Sequence, residues 1–157
     1  RVLFRSANFS KIWRMDDFKS IHAKAYFNLL KTGSWIEDRI KKSLKPFNLT
    51  HAQLNALYIL MENYPKPVSA NELKKRILVH NPDVTRLLDR LVKKGFVTRE
   101  TCLENRRKID ITLTDSGSKL FIMANHSAKE TLGNFFEKKI TKDEAIELRR
   151  ILHKLRE

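Results

Sequence analysis

VTRLLDRLVKKGFVTRETCLENRRKIDITL, residues 84–113, changes its hydrophobic period once, and that change decides the fold. Val84, Leu87, Leu88 and Leu91 recur at helical spacing and form one apolar stripe. Lys93 and Lys94 follow, then Gly95, which is the composition of a helix end closed by a left-handed glycine. From Ile109 the period is two: Ile109, Ile111 and Leu113 alternate with Asp110, Thr112 and Thr114, so a strand with one buried face is expected. Phe96 to Thr101 is its antiparallel partner, and Cys102 to Lys108 is the turn between them, basic at its tip through Arg106, Arg107 and Lys108.

Upstream of this stretch, helix starts are legible. Asn81-Pro82-Asp83 reads as the start of the helix just described, with Asn81 as cap and Pro82 in the first turn, where its missing amide costs nothing. Thr50 with Gln53, Ser69 with Glu72 and Thr141 with Glu144 each fit the capping box. After those starts, Leu54, Leu57 and Met61 line a second helix, and Ala70, Leu73 and Ile77 a short third one. Asn63-Tyr64-Pro65-Lys66-Pro67 separates the two. A long first helix is expected from about Phe18 to Leu44, with Phe27, Leu30, Ile36, Ile40 and Leu44 in register and Gly33 as a weak point. Downstream, a long helix from about Asp115 carries Leu120, Ala124, Ala128, Leu132 and Phe135, and a last helix carries Ala145, Leu148, Leu152 and Leu155.

The fold class is therefore mainly α with a small β-hairpin (α+β). Two short helices joined by a turn at Leu78-Val79-His80 and followed by a hairpin form the winged helix-turn-helix plan, whose second short helix enters the major groove. With the apolar stripe facing inward, Asp83, Arg86, Arg90 and Lys93 lie on the opposite side, and Asn81, Pro82 and Thr85 near the leading end. Arg can take guanine O6 and N7 together, Thr a base edge or a thymine methyl, and Lys93 and Lys94 suit phosphates. A solvated helix face would explain the same residues, but Arg106, Arg107 and Lys108 at a projecting turn suit a narrow, electronegative minor groove.

Composition agrees and narrows the class. The chain has 157 residues, 32 basic and 18 acidic, for a net charge of +14, and 41% of it is apolar, enough for a core. Residues 1–50 carry 11 basic and four acidic groups, and residues 69–110 carry 11 and six, so charge alone does not single out a patch. The longest apolar run, Ala56 to Met61, is far short of the ~18 residues of a membrane span. One cysteine, Cys102, and the absence of a secretory leader pattern give the cytoplasm as the expected location. The chain starts at Arg1, with Met15 a candidate native start, so residues 1–14 carry no weight in the reading of the fold, and residues 1–17 are set apart as an N-terminal segment that need not be native.

Five blocks in order resemble the MarR family of bacterial transcriptional regulators: Leu49-Thr50-His51-Ala52-Gln53-Leu54, Ser69-Ala70-Asn71-Glu72-Leu73, Val84 to Leu91, Lys94 to Arg99, and Asn105-Arg106-Arg107 through Leu113-Thr114-Asp115-Ser116-Gly117. The resemblance covers about residues 18–157. It implies a homodimer joined by its first and last helices and bound to a palindromic operator, with a small aromatic effector between the dimerisation helices and the DNA-binding lobe. Residues 18–48 would be the N-terminal dimerisation helix, 49–117 the winged helix-turn-helix domain and 118–157 the C-terminal dimerisation helices. By position, Thr85 and Arg86 match recognition residues, and Arg107 matches the arginine that enters the minor groove. Where the family usually has an Asp bracing the wing, this chain has Asn105, with Glu104 as the neighbouring substitute.

The function expected is that of a sequence-specific duplex-DNA-binding transcriptional repressor, released by an effector. Two alternatives share the composition: a winged-helix module that meets an acidic protein, and a non-specific architectural nucleic-acid binder. No metal or cofactor is expected, because His22, His51, His80, His126 and His153 are scattered and lack zinc-ligand spacing. Cys102 lies where peroxide-sensing relatives do not carry their thiol. Tyr26, Phe27 and Trp35 suit a core or dimer contact better than an effector pocket. Without a phosphate loop, a nucleophile motif or a ligand cluster, no enzyme is expected.

Overall fold

The computed structural model describes residues 20–77, 83–102, 105 and 108–157. The chain divides into two compact units, Arg1–Arg39 and Ile40–Glu157. In the first, the described residues belong almost wholly to helix α1 (Ile21–Leu44), which runs on through Gly33 without a break. Tyr26 packs edge-on against Phe27, and the Arg39 guanidinium lies 4.4 Å from the Trp35 ring centre. The helix start expected at Phe18 lies outside the described residues. Pro46 cannot continue the α-helical hydrogen bonding, so a 3-10 turn over Lys45–Phe47 follows, and Asn48 closes it in the left-handed region at φ 52°.

The second unit is built around α2 (His51–Asn63). The capping box expected at its start is present: the Gln53 amide donates to the Thr50 hydroxyl, and the Thr50 amide returns to Gln53 Oε1. That reciprocity also satisfies Gln53, which is otherwise buried. The sequence suggested one apolar face here, yet Ala56, Ile59 and Leu60 are buried along with Leu54 and Leu57. The cause is position: α5 (Asp115–Lys139), β3 (Ile109–Leu113), α3 (Ala70–Arg76) and α4 (Val84–Lys93) all pack around α2.

At the start of α3 the Ser69 hydroxyl takes the Glu72 amide, while the Glu72 carboxylate engages Arg76. The next start differs from expectation. The cap of α4 is Asp83, whose carboxylate accepts the Arg86 amide at 3.1 Å, and not Asn81. Both types cap well, and the carboxylate two residues downstream meets the free amide row and its positive dipole. Leu78-Val79-His80 and Asn81-Pro82 lie outside the described residues. The end of α4 is as expected: Gly95 adopts φ 72°, the Phe96 amide donates to the Leu91 carbonyl and the Gly95 amide to that of Val92.

The period-two segment forms the hairpin, with β2 (Val97–Thr101) antiparallel to β3 and Val97 opposite Leu113. A two-residue strand not anticipated from the sequence, β1 (Val68–Ser69), pairs with the other edge of β3, giving the order β1-β3-β2. Thr114 then caps α5 through the Gly117 amide. The buried line of α5 is Gly117, Phe121, Ala124 and Ala128; Leu120, Leu132 and Phe135 flank it half-buried. The final helix, α6 (Lys142–Lys154), has the expected Thr141–Glu144 capping box. Each fully buried leucine contributes about 1.5–3 kcal/mol and an exposed ion pair about 0–1 kcal/mol, so Leu57, Leu60, Leu88 and Leu91 hold this core rather than surface charges.

Candidate nucleic-acid interface

The chemistry of α4 follows from its two faces. Val84, Leu87, Leu88 and Leu91 are buried, and rotation by 100° per residue leaves Thr85, Arg86, Arg90 and Lys93 exposed. Arg86 keeps 78% of its side-chain surface, and its Nε stands 3.9 Å from Asp83 Oδ2. Asp83 thus serves two neighbours: its carboxylate completes the first turn and sits beside the guanidinium without covering it. The Lys94 ammonium donates to the Asn48 carbonyl at 2.6 Å, which ties the helix exit to the start of the unit. Lys93 is exposed and Lys94 is used for anchoring.

The hairpin is joined to this helix by more than chain continuity. Arg99 in β2 donates through Nη1 to Asp89 Oδ1 in α4 at 2.9 Å. The Thr114 and Ser116 hydroxyls both lie within 2.9 Å of the Gly95 carbonyl, and the Thr114 amide donates to the Phe96 carbonyl. At the far end of the hairpin, the Cys102 amide donates to the Lys108 carbonyl, and the Lys108 amide to the Asn105 carbonyl. Lys108 is exposed there. Arg106, Arg107 and Glu104 lie outside the described residues, as do Asn81 and Pro82. The structure therefore brings Asp83, Thr85, Arg86, Arg90 and Lys93 onto the exposed side of α4 and leaves Lys108 exposed immediately before β3.

Sequence reasoning missed Arg99, Asp89, Thr114, Ser116 and Gly117 as working parts. Their signal was present, since Arg99 interrupts the inward face of a strand and Leu113-Thr114-Asp115-Ser116-Gly117 is a helix start, but their partners are set by tertiary contact.

A family model described as "MarR family" matches residues 49–109, which spans α2 through the first residue of β3. A MarR transcription factor from Planctomyces limnophilus is 30% identical, with 87% of this chain covering 98% of that one at a TM-score of 0.63. The chain belongs to the MarR family. Another MarR-family structure, a cysteine-to-serine mutant of Escherichia coli MarR complexed with operator DNA, is 26% identical over 86% of this chain and 94% of that one, with a TM-score of 0.72. An organohalide-sensing RdhR regulator in its 2,4-dichlorophenol-bound form shares the fold at 22% identity, covering 99% of this chain and 88% of that one at a TM-score of 0.75. The winged helix of the MarR fold is thus the architecture that carries the exposed face of α4.

A second feature of the MarR-like unit is an open cleft of about 540 Å³ between Ile40, the first turn of α2 at His51 and Leu54, and the α5 segment from Asn125 to Glu137. Its apolar floor is Ile40, Leu54, Ala128 and Leu132, and its rim is polar, with Asn125, Lys129 and Glu137. Among the described residues, no group of His, Cys, Asp and Glu could hold a metal ion, and no helix is long and apolar enough to cross a membrane.

Proposed function

We propose that the protein is a sequence-specific transcriptional regulator that binds a palindromic operator in duplex DNA as a homodimer, acts as a repressor, and is released by a small effector. The observation that carries this reading is the division of α4 into a buried leucine face and an exposed face bearing Thr85, Arg86, Arg90 and Lys93, beside a hairpin with Lys108 exposed just before β3. Family membership supports DNA-binding transcription regulation as the general activity and argues against catalysis. In this reading Thr85 and Arg86 contact base edges, Asn81, Pro82 and Asp83 lead the helix into the major groove, and Arg90 and Lys93 meet phosphates. Arg106 and Arg107 would join Lys108 at the adjacent minor groove.

Dimer formation is supported by α6, every residue of which is exposed except Leu152, which is intermediate, although it carries Ile146, Leu148, Ile151 and Leu152. Such a seam is stable in water once covered, and a two-fold axis would present two reading helices to two half-sites. The dimerisation parts would be residues 18–48 and 118–157, flanking the DNA-binding part at 49–117. The cleft at Ile40, Leu54 and Leu132 is apolar with a polar rim, which suits a small aromatic effector. Such a regulator works where the chromosome is, in the cytoplasm.

Nuclease protection of duplex DNA tests the reading. Two protected half-sites related by two-fold symmetry are expected. Uniform protection without a preferred sequence would favour an architectural binder, and no protection would favour a protein-interaction module.

A further inference from the structure

Resting on the DNA-binding reading above, we propose that Arg99 is a positioning residue which, through Asp89, holds the hairpin and α4 in one fixed geometry so that their DNA contacts are made together. Residues directly opposite in an antiparallel pair share a face of the sheet, and Arg99 stands opposite Ile111, two places along from Val97 opposite Leu113. Val97, Ile111 and Leu113 are all buried, so position 99 lies on the face turned toward the core. A period-two strand would carry an apolar side chain there. It carries a guanidinium instead, which remains partly in solvent and donates to Asp89 at 2.9 Å.

Asp89 raises the complementary question. A carboxylate on the helix that approaches a polyanion opposes binding, unless its charge is balanced nearby. Arg99 balances it from β2, so Arg90 and Lys93 stay on the exposed face with that carboxylate neutralised. The pair is not a main support of the fold, because the side chains of Arg99 and Asp89 retain 34% and 56% of their surfaces, and ion pairs that exposed add little. What the bond fixes is direction: it ties the middle of the reading helix to the middle of the strand that leads to Lys108. Other ties between these elements, at Gly95 and Phe96, act at the helix exit, and β3 is held from its other edge by β1; Arg99 adds the side-chain link from the strand itself to the middle of α4.

The test uses the full chain and a duplex selected by it from a random pool. In the unsubstituted protein, Lys108→Ala is expected to lower affinity about three- to tenfold and to reduce the salt slope by about one, as for a lost phosphate contact. In an Arg99→Met background the same change is expected to cost less than about twofold with no change of slope, because the tip is no longer held at the duplex. Arg86→Ala is expected to keep its full effect in that background, and Arg99→Lys, which can still reach Asp89, to restore the Lys108 effect. Two results would overturn the coupling while leaving the DNA reading intact: a Lys108 effect equal in both backgrounds, or Lys108 and Arg86 effects weakened alike, as a general loosening would give. Failure of the unsubstituted protein to select any duplex would overturn both.

Discussion

A methyl group added at Gly117 would lie 2.0 Å from the Phe96 carbonyl oxygen, a backbone atom that also accepts the Thr114 amide and cannot step aside alone. Gly117→Ala is therefore expected to destabilise the protein by about 1–3 kcal/mol, the usual cost of overpacking, read from urea unfolding. Gly33 sits inside α1, where a methyl group would meet nothing within 4 Å, so Gly33→Ala is expected to raise stability by roughly 0.5–1 kcal/mol through helix propensity alone. Opposite signs from one substitution would confirm that packing at the α5 start, rather than glycine content, is what matters. Arg86→Ala is expected to weaken operator binding by about 1–3 kcal/mol and to relax preference at one base position; equal losses on operator and scrambled duplex would remove its base-reading role. At this scale the sequence was readable wherever a residue acts through its own chain neighbours, as with Gly95 and Thr50. It was ambiguous where two competent caps stand close together, Asn81 and Asp83, and silent where the partner is far along the chain, as for Arg99 with Asp89.

Among the elements, α4 and the hairpin were legible because their periods differ and each has one buried face. The strand β1 was not: two residues are too short to show a period, and Ser69 also caps the following helix. The wide burial of α2, which reaches Ala56, Ile59 and Leu60 but leaves Tyr58 and Glu62 exposed, was hidden for another reason, since a helix packed on several sides loses the amphipathic contrast that periodicity detects. For α6 the sequence and the structure agree on the Thr141–Glu144 capping box, and its carboxylates make it pH-sensitive. Hydrogen bonds from the Thr141 amide and hydroxyl hold Glu144 below the usual carboxylate range, and the hydrogen bond from Arg150, aided by its charge, does the same for Glu147. A carboxylate with a lowered folded pKa stabilises above its unfolded value, and that contribution is lost as pH falls through the folded one. Glu147→Gln is accordingly expected to speed amide exchange in α6 near neutral pH and to make no difference once the solution is acidic enough to protonate Glu147. A difference that persisted in acid would assign the effect to packing.

At the scale of the molecule, the net charge of +14 alone does not name a partner, and the fold gives a role to only part of it. The basic groups of α4 and the hairpin flank are on the exposed side of a leucine core, while other charges such as Arg150 are matched locally by Glu147. The exposed apolar positions of α6, Ile146, Leu148 and Ile151, set the expected assembly. Leu148→Asp combined with Ile151→Asp is expected to turn a dimer into a monomer by light scattering and to weaken binding to a two-half-site duplex far more than to a single half-site. An unchanged mass would place the dimer contact elsewhere. The central claim, that two copies of α4 read a symmetric operator, is tested most directly by selecting bound duplexes from a random pool. An inverted repeat is expected, with half-sites about one helical turn, roughly 10 base pairs, apart. Enrichment of no sequence, or of a single unpaired half-site, would contradict it.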